Sequence, residues 1–257
     1  MTIVREFSKI RSERYKLAMS RAPNARTAEL VALGTVLKAI GVTRCRSIVE
    51  IGSGHGYATG ALLDYVSTDG LIRGVEHSPD MAAQIPRHPK IRPLADTLEG
   101  IDIDDGSVDL VVSLATFHHI TNKSLIVQQI RRLLRPGGHC VIGDVNDGTP
   151  VQAFFDNVVL KFCLTGHEFD FLDRAWVRQL AMGAGLEHVS SSVRNTDWVF
   201  DSEEAMVVFV RNLMSLEIDT AELKSLLMTW LHPVTDLDGH RTVLPWSLGF
   251  HVLRRTN

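Results

Sequence analysis

At 257 residues, 45% of them apolar, the chain is long enough for one sizeable globular core. A formal net charge of −3 excludes a general electrostatic pull toward nucleic acid or an anionic membrane surface. No apolar run reaches the roughly 18 residues of a membrane span, and Met1 to Lys16 lacks the apolar stretch of a secretion signal.

The expected setting is therefore cytoplasmic. The three cysteines, Cys45, Cys140 and Cys163, are scattered, which suits buried reduced thiols better than disulfides or a zinc site.

Two helices broken near Pro23 are expected over 10–40. Strand and helix patterns then alternate. Ser47–Ile51 reads as a strand and Tyr57–Val66 as a helix; Leu71–Glu76 is a second strand, followed by helix caps at Ser78 and Asp80. Lys90–Leu94 is a short third strand. Val108–Leu114 is apolar and β-branched, as befits a strand buried on both faces. Lys123–Leu134 has helical spacing, Arg135-Pro136-Gly137-Gly138 reads as a turn, and His139–Val145 as a fifth strand. Beyond it the pattern predicts a helix over Val151–Leu164, a loop over Gly166–Phe171, a helix over Arg174–Met182 and a strand over Leu186–Val193. A helical pair over Ser202–Leu216 and Thr220–Leu231 and one last strand over Thr242–Arg254 complete the chain. The fold class is α/β: a Rossmann-like, mostly parallel seven-stranded sheet with helices on both faces. It is read as a single domain, with a core over 45–145 and helical cap elements over 1–40, 150–184 and 202–232 lying above the sheet's carboxyl edge.

The most informative run is Ile48-Val49-Glu50-Ile51-Gly52-Ser53-Gly54-His55-Gly56-Tyr57. An apolar strand feeds an acid and then three alternate glycines. Glycines there allow positive φ and let a ligand approach the main chain. Such a turn at the carboxyl end of a parallel strand is where open α/β sheets bind nucleotides. A dinucleotide fingerprint would place its third glycine at position 57, which is Tyr57. The G-x-G-x-G spacing, with the acid two residues ahead, resembles motif I of the class I S-adenosylmethionine (SAM)-dependent methyltransferases. Asp109 and Leu134-Arg135-Pro136-Gly137-Gly138 resemble later motifs of the small-molecule members related to the ubiquinone/menaquinone-biosynthesis group. The resemblance covers residues 45–145.

It implies SAM as cofactor and S-adenosylhomocysteine (SAH) as product. Gly52, Ser53, Gly54 and Gly56 would seat the methionine and ribose part, and Glu50 would draw in the cationic amino group. Glu76, about 20 residues past Gly56, would accept the ribose hydroxyls, as acids do in dinucleotide folds. Asp96 would accept from the adenine amino group. Backbone groups of Ser113 and Leu114 would face the cofactor, with His77, Thr97 and His118 alongside. Tyr15 lies on the N-terminal helix, which in similar enzymes closes over SAM. Arg21 and Arg26 are candidates for holding a carboxylate, or are solvated surface residues.

No Asn/Asp-Pro-Pro-aromatic element follows the fourth strand, where the chain reads Ser113-Leu114-Ala115-Thr116-Phe117-His118-His119. No cysteine stands there as a nucleophile. The expected acceptor is a small molecule, aromatic if the rings of the variable part line the pocket, methylated on O, N or C by in-line displacement. Positioning supplies much of such a rate. An acidic acceptor also needs its proton removed, which histidine suits. His119 and His167 are the leading catalytic candidates, with His118, Glu168 and Asp144 behind them. No metal is expected, because no pair among these residues has a recognised ligand spacing. A homodimer is left open. The alternatives are a non-catalytic SAM-binding or regulatory protein of the same fold, and an NAD-dependent oxidoreductase, which Tyr57 opposes.

Overall fold

The computed structural model describes residues 9–164, 166 and 169–257. The described chain divides into two compact units. One comprises Leu33–Asp144, Phe169–Val193 and Gly249–Asn257; the other is drawn from Met1–Ala32, Val145–Glu168 and Arg194–Leu248.

The first unit is built on a seven-stranded sheet. Its strands are β1 (Cys45–Ile51), β2 (Val66–Val75), β3 (Ile91–Leu94), β4 (Val108–Leu114), β5 (Leu134–Asp144), β6 (Glu187–Asn195) and β10 (Ser247–Arg254). Their order is β3-β2-β1-β4-β5-β10-β6. Strands β1 to β5 pair in parallel, and β10 runs antiparallel to β5. The order reverses between β1 and β4, where Ile51 stands beside Ser113. That switch leaves a crevice at the carboxyl ends of the strands, the usual ligand site of open α/β sheets. Central β4 is apolar on both faces: Val108, Leu110, Val111 and Val112 are all fully buried. The helices here are α3 (Tyr57–Ala61), α4 (Pro79–Ala82), α5 (Lys123–Leu133) and α7 (Arg174–Ala184). Helix α7 is started by the Asp173 side chain on the Trp176 N–H and ended by Gly185 in the left-handed region. The apolar faces of α5 and α7 join β1, β4 and β5 in one core with Val111, Ile130, Ile142 and Ala181.

The second unit contains α1 (Lys9–Arg21), most of its polar residues exposed, and the start of α2 (Thr27–Ala39). Helix α6 is composite: Pro150–Phe154, a π-helical stretch Phe155–Val159, then Leu160–Phe162. Helices α8 (Glu203–Leu213) and α9 (Thr220–Trp230) follow, and α8 packs against α1. A small sheet joins β7 (Trp198–Phe200), β9 (Thr242–Leu244) and β8 (Val234–Thr235). Its core is aromatic. Trp198 stacks on Trp246 with centroids 4.0 Å apart, and Phe209 meets Trp198 edge-on at 5.6 Å.

Three expectations change. The terminal stretch 242–254 is two strands, because the chain leaves the small sheet after Leu244 and enters the large one at Ser247. The helix over Tyr57–Val66 tightens to a 3-10 turn at Leu62–Tyr65, and Val66 already opens β2. Arg135–Gly138 is an irregular part of β5 rather than a free turn: the register slips between Val108↔Leu134 and Leu110↔His139. Gly137 and Gly138 there bond the backbone of Arg255.

Asp109 fastens this irregularity. Its carboxylate accepts the backbone N–H groups of Arg46 (2.7 Å) and Ser47 (2.9 Å) and the Arg135 guanidinium (2.5 Å). Burial pushes its pKa up, but Arg135 and the two backbone donors outweigh burial and leave it below the ordinary value. Stability from Asp109 is thus present above the ordinary aspartate pKa and lost as pH falls through the lowered one. Asp109→Ala leaves two strand N–H groups without their acceptor and is expected to cost about 2 kcal/mol, read by urea denaturation at pH 7.

Candidate functional site

The glycine turn leaves β1 at the sheet's switch point. Gly52, Gly54 and Gly56 all have positive φ, at 66°, 54° and 93°. Gly52 and Ser53 donate their N–H groups to the Val75 carbonyl, tying the turn to the end of β2. The space around the glycines differs. A Cβ on Gly52 would fall 2.0 Å from Thr116 Cγ2, and one on Gly56 would fall 2.6 Å from Pro86 Cδ. A Cβ on Gly54 would meet only Met81 Cε, at 3.5 Å. Gly54 is therefore the glycine with room beside it, while Gly52 and Gly56 are packed by their own protein.

Glu50 and Glu76 face this turn from strand ends. Glu76 Oε2 accepts the Gly54 N–H at 3.0 Å, and Oε1 accepts the Ser78 N–H at 2.9 Å. His77 Nδ1 lies 3.3 Å from Oε1. A carboxylate has about four acceptor positions, so Glu76 retains acceptor capacity beyond these contacts. Glu50 is fully enclosed and accepts from the Thr59 hydroxyl. Burial drives its pKa up to about 8; the Thr59 bond opposes this and the nearby Glu76 charge adds to it. Asp96 is exposed after β3, and its carboxylate turns back to the Thr97 N–H at 2.7 Å. The Ser53 and Ser113 hydroxyls are buried and have no hydrogen-bond partner among the described residues. Leu114 is buried at the end of β4.

The segment after β4 holds what the sequence reading missed. Ala115 takes a left-handed conformation (φ 52°) and donates its N–H to the Gly143 carbonyl. This bend brings Thr116 onto the glycine turn, its Oγ1 3.1 Å from the Gly52 carbonyl and 3.3 Å from that of Leu114. A 3-10 turn over Phe117–His119 follows. His118 is buried, with its ring Nδ1 2.6 Å from Asp144 Oδ1 and its backbone N–H donating to Oδ2 at 2.9 Å. One carboxylate at the end of β5 so fixes both the ring and the chain. The His119, His118, Phe171 and Phe169 rings form a row, with centroid separations of 4.0, 5.5 and 4.9 Å. His167 and Glu168, the other acid–base candidates, lie outside the described residues.

Tyr15 belongs to the second unit, where its hydroxyl accepts from Arg26 at 2.9 Å. Arg26 is neither solvated nor open to a ligand carboxylate: it is buried and grips Glu29 through two bonds of 3.0 and 2.7 Å. Glu29 also accepts the Trp198 indole N–H at 2.7 Å. Trp198, Phe200 and Trp246 are core of that unit, as are Phe154 and Phe155. Arg21 is exposed. Among the described residues, no cluster of three or more His, Cys, Asp or Glu could hold a metal ion, and no helix is long and apolar enough to cross a membrane.

Residues 49–142 match the methyltransferase-domain family. Over that stretch the chain is similar to the class I SAM-dependent methyltransferases. A SAM-dependent methyltransferase of Mycolicibacterium smegmatis is 27% identical to it over 106 residues, which cover 40% of each protein. The matches to curated relatives span less than half of those proteins' own lengths. A Bacillus halodurans structure assigned to the methyltransferases aligns with a TM-score of 0.64 at 15% identity, covering 88% of this chain and 99% of that one. The 1,6-didemethyltoxoflavin-N1-methyltransferase of Burkholderia thailandensis, solved with its substrate and SAH, aligns at 0.53 and 14% identity, covering 90% and 80%. At these identities the structural likeness is one of fold.

The cofactor of this domain class is SAM, and the residues present fit it. Gly54 has open space, Glu76 has acceptor capacity for a ribose, and Glu50 is a buried acid suited to an ammonium group. Without ligand, Glu50 stays protonated in the folded protein up to about pH 8, whereas the unfolded chain loses that proton near 4.5. Stability must therefore fall as pH rises between those values. Glu50→Gln is expected to flatten this fall in ligand-free protein, read as melting temperature at pH 6 and pH 8.5. A pH dependence unchanged from wild type would show that Glu50 does not cause it.

Proposed function

We propose that the chain transfers the SAM methyl group to oxygen, nitrogen or carbon of a small, flat, aromatic acceptor. The observation that carries this reading is the His118–Asp144 pair at the ends of β4 and β5, one strand along from the glycine turn. Bound SAM would supply an electrophilic methyl on a sulfonium. Gly54 would admit the methionine part against the main chain, Glu50 would face its amino group, Glu76 the ribose hydroxyls and Asp96 the adenine amino group. Ser53, His77, Thr97, Ser113 and Leu114 complete that wall in this reading.

The acceptor side follows from the ring row. His119 and Phe169 are the half-exposed ends, and His118 and Phe171 the buried middle. Flat rings stack on such a row, with offset contacts worth about 1 kcal/mol per pair. Asp144 favours the tautomer of His118 that donates from Nδ1 and carries its lone pair on Nε2. That lone pair can take the proton an acidic acceptor sheds. His119 stands beside it as a second proton acceptor.

Two experiments test the reading. Gly54→Arg fills the open side of the turn and should abolish SAM and SAH binding by calorimetry while leaving the far-ultraviolet circular dichroism unchanged. Normal affinity in that variant would overturn the cofactor assignment. With a panel of phenolic and heteroaromatic acceptors, the wild type should release SAH. Asp144→Asn should then lower kcat about 100-fold with SAM affinity kept, because general-base contributions are typically 10²–10⁴. Retained turnover in Asp144→Asn would remove the pair from the chemistry.

A further inference from the structure

The geometry points to Thr116 as a positioning residue that ties the cofactor turn to the histidine turn, so that the two halves of the site are set as one piece. The inference rests on reading the glycine turn as the SAM seat.

Thr116 meets the two turns with different parts of itself. Its side chain belongs to the glycine turn: Cγ2, Oγ1 and Cβ occupy the place where a Gly52 side chain would stand, at 2.0, 2.5 and 2.6 Å from an ideal Cβ. The hydroxyl has one proton to share between the carbonyls of Gly52 and Leu114. Its main chain belongs to the histidine turn, since the Thr116 carbonyl accepts the His119 N–H at 3.0 Å. Upstream, the left-handed Ala115 is held by Gly143 of β5. Downstream, His118 is held by Asp144, the next residue of β5. The loop is therefore anchored on β5 at two points, and Thr116 is its reach across to β1.

A left-handed non-glycine residue is sterically costly and persists where its surroundings over-determine it. The surroundings of Ala115 do so by this three-point mounting. If the Gly52 carbonyl moves as the turn closes on a ligand, Thr116 carries the displacement to the backbone of the histidine turn. In-line transfer is sensitive to such placement, where about 1 Å can change a rate 10²-fold.

The test uses full-length protein labelled isotopically at histidine and titrated with SAH. In wild type, SAH should bind and shift the His118 and His119 ring resonances. Thr116→Val keeps the shape and removes the donor. It should weaken SAH about fivefold to tenfold and lose most of the histidine shift at saturation. Thr116→Ser keeps the donor and should restore both. Wild-type affinity and wild-type shifts in Thr116→Val overturn the proposal, as does a Thr116→Ser variant no better than Thr116→Val. If Thr116→Val does not fold, the wild-type titration still decides: histidine resonances unmoved at saturating SAH overturn the coupling. Failure of wild type to bind SAH at all is a different result, and it removes the cofactor reading itself.

Discussion

The backbone path just after β1 is the constraint on which the rest depends. In five residues the chain must leave a buried strand, turn over the end of β2 and start α3. It does so through three left-handed glycines, a conformation that side-chain-bearing residues adopt at a cost. Because those positions lack side chains, other parts of the protein fill in. Thr116 occupies the space at Gly52 and Pro86 that at Gly56, and Glu76 takes the amide of Gly54. The turn is therefore part of the packing of three strand ends rather than a loop laid upon them.

The same crowding sets the electrostatics. Two carboxylates, Glu50 and Glu76, converge on one turn, and among the described residues Glu76 alone of the two has backbone donors. Among the described residues Glu50 has the Thr59 hydroxyl and little else to offset its loss of water, so burial favours its neutral form. At the far side of the switch point, Asp144 has the opposite situation. It is deeply buried, yet one carboxylate serves a ring nitrogen and an amide together. The acid that a cation would relieve and the acid that is already engaged stand on opposite flanks of the crevice.

Much of this was legible because local pattern and tertiary role coincide. Val108–Leu114 is a strand on its apolar run alone, and the central sheet needs it buried on both faces. The positions of the turn, Glu76 and Asp96 at strand ends were legible because sheet topology fixes where strand ends lie. What failed was non-local. The link from Thr116 to Gly52 spans 64 positions, and no local motif marks it. Arg26 looked like a surface cation because the distant Trp198, which covers it and binds its local partner Glu29, arrives only through packing. Residues 242–254 read as one strand because alternation carries no information about which sheet it serves. The Arg135–Gly138 stretch has turn composition but extended neighbours, and Asp109 with Arg255 holds it in the ladder.

Helix α6 adds a point about how such a chain tolerates change. Over Phe155–Val159 the hydrogen bonding widens to the π pattern between two α-helical pieces. Such a bulge is what one surplus residue looks like when the flanking turns keep their own facing. Phe154, Phe155, Val158 and Val159 point inward across it, while Leu160 emerges to solvent. The helix thus behaves as a length buffer. Loss of a single residue in this stretch would let the widened turn close to the α pattern between its two flanking pieces.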